Sequence, residues 1–226
     1  MTAGTARTVP TVGAPDRKPR PTWPPRAGTR LLRLHAASRR VPAAIAAIAA
    51  CAVGLRIALL GHWDTYGALQ LPLVFEAGAA AAIAVTTASP IGEPERVTGR
   101  WLPFLRLATT LALTAAAAGA LTAAGIGAHL AGGALDVPRN LAGMTGIGLL
   151  CAAALRGGLA WTGPLGYLVV GAYGLYTQWH RPALTTPWIW PARPPHDLGA
   201  ALCAALVFIT GIAVITARGA RDPADE

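Results

Sequence analysis

Apolar and polar residues follow one another in long blocks along this chain of 226 residues. Each apolar block runs for about 16 to 25 residues, and a helix of ~20 residues spans the ~30 Å hydrocarbon core of a bilayer. The expected fold class is therefore all-α, a polytopic membrane protein whose transmembrane domain covers residues 41–217. The blocks predict six transmembrane helices, at residues 41–61, 68–88, 104–131, 138–155, 159–176 and 198–217.

The residues before the first apolar block have a different composition. Residues 1–28 contain six prolines and hardly any apolar clusters, so they cannot bury a core and are predicted to form a disordered tail. Residues 29–40, "TRLLRLHAASRR", interleave leucines with arginines, which predicts a basic amphipathic helix on the inner membrane face. Pro42 then falls in the first turn of the first span, where its missing N–H costs nothing.

The distribution of basic residues predicts the orientation of the chain. The net charge is +9, but its arginines and lysines surround the apolar blocks instead of forming the single stripe typical of nucleic-acid binding. The first 40 residues hold nine basic residues and one acid, which places the N-terminus in the cytoplasm. With alternating crossings, fifteen basic residues are cytoplasmic and three are outside, so residues 218–226 form a second cytoplasmic tail.

No pattern in the chain indicates an enzyme, a metal site or a cofactor. Cys51, Cys151 and Cys203 lie in separate apolar blocks without metal or redox spacing and are interpreted as packing residues. The stretch "IAAC" resembles a lipobox, but its polar leader of about 40 residues is too long and the apolar block continues past the cysteine. The histidines are scattered, and GxSxG, HExxH and phosphate-binding glycine loops are absent.

Two charged residues lie well inside apolar blocks, away from the ends, and call for an explanation. A carboxylate such as Glu76 costs roughly 3 kcal/mol inside a membrane unless it is paired, neutral or facing water. Arg56 lies at a depth within ~5 Å of Glu76 if spans one and two form an antiparallel hairpin. We expect an ion pair that joins the hairpin, and two alternatives stay open: Glu76 faces a translocation path or takes up a proton, or it is protonated and faces lipid.

The segment 177–197 carries three tryptophans among five prolines, on the outer side of the predicted topology. Tryptophan prefers the headgroup level, where the ring is half buried and its N–H stays hydrated. Trp179, Trp188 and Trp190 therefore predict an element that dips into the outer interface, or alternatively a proline-stiffened loop with an ordinary aromatic belt.

The link between the second and third spans, residues 89–106, gathers charges of both signs. Glu93 and Glu95 come early, and Arg96 and Arg100 follow one turn apart, an order that complements a helix dipole. Either the link is a solvated connector with positive-inside arginines, or it is a docking helix for a soluble cytoplasmic partner.

This layout resembles the membrane subunit of an ABC-2-type ABC exporter. The stretches that carry the resemblance are "TRLLRLHAASRR", "GEPERVTGR" and "TPWIWPARPP", at the places of that family's connecting helix, coupling helix and outer re-entrant element. The outer element is shorter and richer in proline than the family's, and spans four and five are joined almost without a loop.

The resemblance implies a permease subunit in a bacterial inner membrane, paired with a second membrane subunit of the same or a similar kind. It also implies a separate P-loop ATPase docked on residues 92–100, since this chain has no P-loop of its own. Two other functions stay open: a secondary transporter driven by protons through Glu76, and a membrane scaffold or accessory subunit that transports nothing.

Overall fold

The computed structural model describes residues 40–61, 65–87, 102–127, 130, 133–155, 157–180 and 187–218. These residues form six long helices and two single turns of 3₁₀ helix, Gly157–Leu159 and Trp190–Ala192, with no strand among them. The long helices are α1 (Val41–Leu59), α2 (Thr65–Val85), α3 (Leu102–Ala124), α4 (Asp136–Ala154), α5 (Thr162–His180) and α6 (Leu198–Arg218).

Successive helices run in alternating directions. In the first hairpin, Gly54 of α1 lies against the ring of Phe75, and Cys51 lies against Gly78 of α2, so the two helices are antiparallel. One end of the bundle therefore holds the last residues of α1, α3 and α5 together with the first residues of α2, α4 and α6. We call it the Asp136 end.

Helices α2 and α4 occupy the centre of the bundle. Helix α2 contacts α1, α3, α4 and α5, and α4 contacts α2, α3, α5 and α6. Alanine is the main buried residue of α2, where Ala77, Ala79, Ala80 and Ala84 are fully buried. Small side chains let neighbouring backbones approach closely, which is how helices pack when lipid supplies no hydrophobic force between them.

The tightest crossing joins α4 to α6, which run parallel to each other. A Cβ atom added at Gly146 would lie 2.6 Å from the Cα of Phe208, and one at Gly211 would lie 2.6 Å from the carbonyl oxygen of Gly146. Because these obstacles are backbone atoms, the crossing has room for glycine alone.

Four of the helices are long and apolar enough to cross a membrane: α1, α2, α3 and α6. The structure therefore supports a membrane-embedded, all-helical protein, but six crossings are not established by length and hydropathy. Helix α4 carries Asp136, Arg139, Asn140 and Thr145, polar residues that lower its hydropathy.

Helix boundaries agree with the sequence at some ends and differ at others. Helix α1 begins at Val41 with Pro42 in its first turn, as predicted. The third span was expected to reach residue 131, but α3 ends at Ala124 and a turn follows in which Gly127 has a φ of +73°. The fifth span was expected at 159–176, whereas α5 continues to His180. The predicted tail, amphipathic helix and C-terminal tail lie outside the described residues, except for Arg40 and Arg218 at their edges.

Candidate functional site

Glu76 is the most deeply buried charged residue that the structure describes. Its side chain is 1% exposed, in the middle of α2, and neither carboxyl oxygen has a hydrogen-bond partner among the described residues. The side-chain amide of Asn140 on α4 is nevertheless close enough to act on this carboxyl as a hydrogen-bond donor, and the charges of Asp136 and Arg139 also act on it. A buried carboxyl without partners is expensive in a protein interior, so it marks a candidate functional site.

A small cavity lies beside the Glu76 carboxyl, at the Asp136 end of the bundle. Its volume is about 30 Å³, which is enough for one or two water molecules. Polar groups in its wall come from Glu76, Asp136 and Asn140, and the rest of the wall is mainly apolar. Pro72 also lines it; this proline is inside α2 and has no N–H, so the carbonyl of Ala68 lacks its usual helical donor.

The first turns of α4 carry a charged cluster that borders this cavity. Nη2 of Arg139 lies 2.8 Å from Oδ1 of Asp136, an ion pair between residues three apart on the helix. Arg139 also donates from Nη1 to the carbonyl of Pro194 at 2.8 Å and from Nη2 to that of Arg193 at 3.2 Å. The Nε of Arg139 approaches Oδ1 of Asn140 at 3.4 Å. One guanidinium thus joins the start of α4 to the segment that precedes α6.

That segment, residues 187–197, folds onto the bundle and contributes Pro191 to the cavity wall. Trp190 is buried at 2% exposure, stacks on Tyr167 with ring centroids 4.4 Å apart, and covers Gly143 of α4. The hydroxyl of Tyr167 donates to the carbonyl of Trp188 at 2.6 Å. Since a Cβ at Gly143 would overlap the indole, glycine is what lets Trp190 lie flat against α4.

The end of the same segment is held at the start of α6. The Nε of Arg193 donates to Oδ2 of Asp197 at 2.6 Å, and the backbone N–H of Ala200 donates to Oδ1 of Asp197 at 3.1 Å. The Ala200 hydrogen bond, together with Arg193, lowers the pKa of Asp197 below its usual range. Asp197 therefore caps α6 in its charged form.

The structure does not bring Arg56 and Glu76 together. Arg56 is on the exposed side of α1, and its Nη1 donates to the carbonyl of Ile126 at 2.8 Å, with that of Ala124 at 3.4 Å. These carbonyls belong to the last residue of α3 and to the turn that follows it, and this end attracts a cation because helix C-termini carry partial negative charge. The expected hairpin ion pair is replaced by an arginine that caps α3 and a carboxyl that faces α4.

The structure describes only some of the other predicted site residues. Of the two tryptophans in the segment 177–197 whose side chains are described, Trp190 is buried against the bundle and Trp188 is half exposed. Trp179 falls within α5 instead of the loop, and its side chain lies outside the described residues. Glu93, Glu95, Arg96 and Arg100 also lie outside them, so the proposed ATPase-docking link stays a prediction.

Asp136, Arg139 and Asn140 were missed as a site by the sequence analysis. They occur in "DVPRN", with spacings of three and four that put all three on one helix face. That spacing, at the start of a predicted span, was the available signal. Among the described residues there is no group of three or more His, Cys, Asp or Glu side chains placed to hold a metal ion.

Comparisons with known proteins give no further guidance. No family model, no curated protein and no solved structure matches this chain.

Proposed function

We propose that this chain is a proton-coupled secondary transporter in which Glu76 takes up and releases the coupling proton. The observation that carries the proposal is the buried Glu76 carboxyl, which has no charged partner of its own among the described residues and lies beside a small polar cavity. It lies in a helix long and apolar enough to cross a membrane. Since an ionised carboxyl is costly in such surroundings, exchange of a proton is the chemistry that this group can perform there.

The position of Arg56 supports the same proposal. A structural role for Glu76 requires a fixed cation or a set of fixed donors, and Arg56 is engaged at the end of α3 instead. Arg139, the other nearby cation, is occupied by Asp136 and by two backbone carbonyls. An ionised Glu76 would therefore depend on the neutral amide of Asn140 and on an arginine already shared with Asp136, which favours a proton on the carboxyl.

The proposal includes six membrane crossings with both termini in the cytoplasm of a bacterial cell. The alternating helix directions and the excess of arginine in the predicted cytoplasmic segments support it. On this topology the Asp136 end faces outward. Helices α4 and α5 cross as well, because neighbouring helices shield the polar residues of α4 from lipid.

The experiment follows the Glu76 carboxyl directly. The full-length protein in lipid nanodiscs is titrated from about pH 4 to about pH 10, a range that brackets ordinary and strongly shifted carboxyl groups. Infrared difference spectra record the carboxyl C=O stretch. A band that titrates in the wild-type protein and is missing in Glu76→Gln is expected. Asp197→Asn is the control that keeps it, since Asp197 lies outside the wall of the Glu76 cavity.

Two results would contradict the proposal. The first is an identical set of titrating bands in wild type and Glu76→Gln. The second is the pair of results that the ABC-exporter hypothesis predicts. A tagged chain would bring a P-loop ATPase out of its native membranes, and charge reversal at Glu93 and Arg96 would stop transport while Glu76→Gln would not.

A further inference from the structure

We infer that the cavity beside Glu76 binds a small monovalent metal cation, Na⁺ or Li⁺, at the position otherwise served by the proton. This inference rests on the proposed function and names the ion that competes with the proton for the Glu76 carboxyl. It is independent of what else the protein transports.

The atoms around the cavity suit a hard cation, which prefers oxygen ligands. Glu76 supplies two carboxyl oxygens that have no hydrogen-bond partner among the described residues, and its side chain is 1% exposed. Asp136 and Asn140 line the same space, and each has a side-chain oxygen that can ligate an ion there. The described wall has no thiol, imidazole or thioether, the groups that softer transition metals select.

Arg139 does not exhaust these oxygens. It takes Oδ1 of Asp136 at 2.8 Å, which leaves the second oxygen of that carboxylate, and it approaches Oδ1 of Asn140 at a long 3.4 Å. A carboxylate accepts about four hydrogen bonds and an amide oxygen accepts two, so both groups keep lone pairs for an ion. Pro72, inside α2, has no N–H, so the carbonyl of Ala68 lacks its usual helical donor next to the site.

The size of the cavity restricts the ligand. A volume of about 30 Å³ accommodates one or two waters, or a dehydrated ion with a single water. An organic substrate or a fully hydrated ion does not fit. The attraction between an ion and a carboxylate oxygen rises as their separation falls, so Na⁺ and Li⁺ are favoured over the larger alkali ions.

The net charge of the groups around the cavity restricts the choice of ion further. Glu76 and Asp136 carry one negative charge each when ionised, and Arg139 carries one positive charge, so the ionised site has a net charge of −1. His196, on the segment before α6, acts on Asp136 and is exposed to solvent. One monovalent cation neutralises this site, whereas a divalent cation would leave an excess positive charge in a low-dielectric interior.

The test uses competition between the two ions. The full-length protein in nanodiscs is titrated as above while Na⁺ replaces choline at constant ionic strength, with parallel series in Li⁺ and K⁺. If one Na⁺ and one proton exclude each other, the midpoint of Glu76 protonation moves to lower pH by about one unit per tenfold increase in Na⁺ above its Kd. Li⁺ produces a similar shift, and K⁺ a smaller one.

A variant of the second ligand separates binding from titration. Asn140→Leu keeps the Glu76 carboxyl, and we expect it to raise at least tenfold the Na⁺ concentration at which the Glu76 midpoint begins to shift. Asp197→Asn, outside the cavity wall, keeps the full shift. Size-exclusion profiles of the nanodisc-embedded variants verify that both remain folded.

Each remaining outcome contradicts a specific statement. A Glu76 midpoint that is the same in Na⁺ and choline overturns the cation site and leaves the proton-coupled function standing. A full shift that survives in Asn140→Leu places the ion elsewhere and also overturns the site. If Glu76 does not titrate at all, the proposed function fails, and the cation site fails with it.

Discussion

Helices α1 and α4 show opposite relations between hydropathy and burial. Helix α1 is strongly apolar, with a mean hydropathy of 2.0, yet only 17% of its most apolar window is buried inside the protein. Helix α4 has Asp136, Arg139 and Asn140 in its first two turns, yet eleven of its 19 residues are buried. In a soluble protein the ranking would be reversed.

The difference follows from the solvent. Apolar side chains such as Val53 and Ile57 of α1 face outward at 59% and 64% exposure, where lipid is as favourable as a protein core. Polar side chains and glycines gain only inside the bundle, where partners or close backbone contact are available. Helix α4 therefore carries the specific contacts of the molecule, and α1 supplies mainly a lipid-facing wall.

The largest expected effect comes from filling the α4–α6 crossing. Gly146→Ala places a methyl group 2.6 Å from backbone atoms of Val207 and Phe208, so the helices must separate, at a cost of about 3 kcal/mol. The matched control is Gly119→Ala in α3, where nothing lies within 4 Å and the gain in helix propensity is up to ~1 kcal/mol. Steric trapping in nanodiscs measures both free energies of unfolding. Equal values for the two variants would show that α4 is no more tightly packed than the periphery.

A smaller effect is expected from the two arginines. Arg139→Gln removes an ion pair and two carbonyl hydrogen bonds and leaves Asp136 without its cation; because Asp136 keeps some exposure to solvent, the cost is about 2 kcal/mol. Arg56→Gln loses an exposed contact to the end of α3 and costs under ~1 kcal/mol. Limited proteolysis of residues 187–197 provides a second readout. Cleavage there should increase in Arg139→Gln alone, and increased cleavage in both variants would contradict this assignment.

The smallest effect is the pH dependence due to Asp197, which caps the helix packed on α4. The pKa of Asp197 is lowered in the folded protein, so the charged form stabilises the fold above the unfolded value of about 3.9. That contribution disappears as the pH falls through the lowered folded pKa. Asp197→Asn should therefore have a lower thermal midpoint than wild type at neutral pH, with the gap closing in strongly acidic buffer. A gap that is constant with pH would mean that the charge of Asp197 is irrelevant.

The helices could be predicted from the sequence with good accuracy. Helix α1 begins at Val41 and α4 ends at Ala154, each within one residue of expectation. The main errors were the far ends of α3 and α5, at Ala124 and His180. After α3 the apolar composition continues into a turn, and α5 continues as a helix into polar residues. Composition alone does not show where the backbone hydrogen bonds of a helix end.

The candidate site was predictable only in part. Glu76 stands out in the sequence because an acid inside an apolar block is costly wherever it points. The residues around it do not stand out, because Arg56 and Arg139 are each a single basic residue near the end of a span, and the sequence does not tell which of them lies near Glu76. Only the packing of α2 against α4 shows that Asn140 and Asp136 border the Glu76 cavity, and that Arg56 belongs to the end of α3.

The amino-acid sequence by itself determined that this chain is helical and suited to a membrane. Each helix satisfies its own backbone hydrogen bonds, so length and hydropathy, which are local properties, are enough. Which polar groups meet inside the bundle was decided by the tertiary structure. These contacts depend on how whole helices rotate and cross. Here close glycine contacts, such as that of Gly146 with Gly211, determine the crossing, and a local sequence pattern does not specify the backbone distances involved.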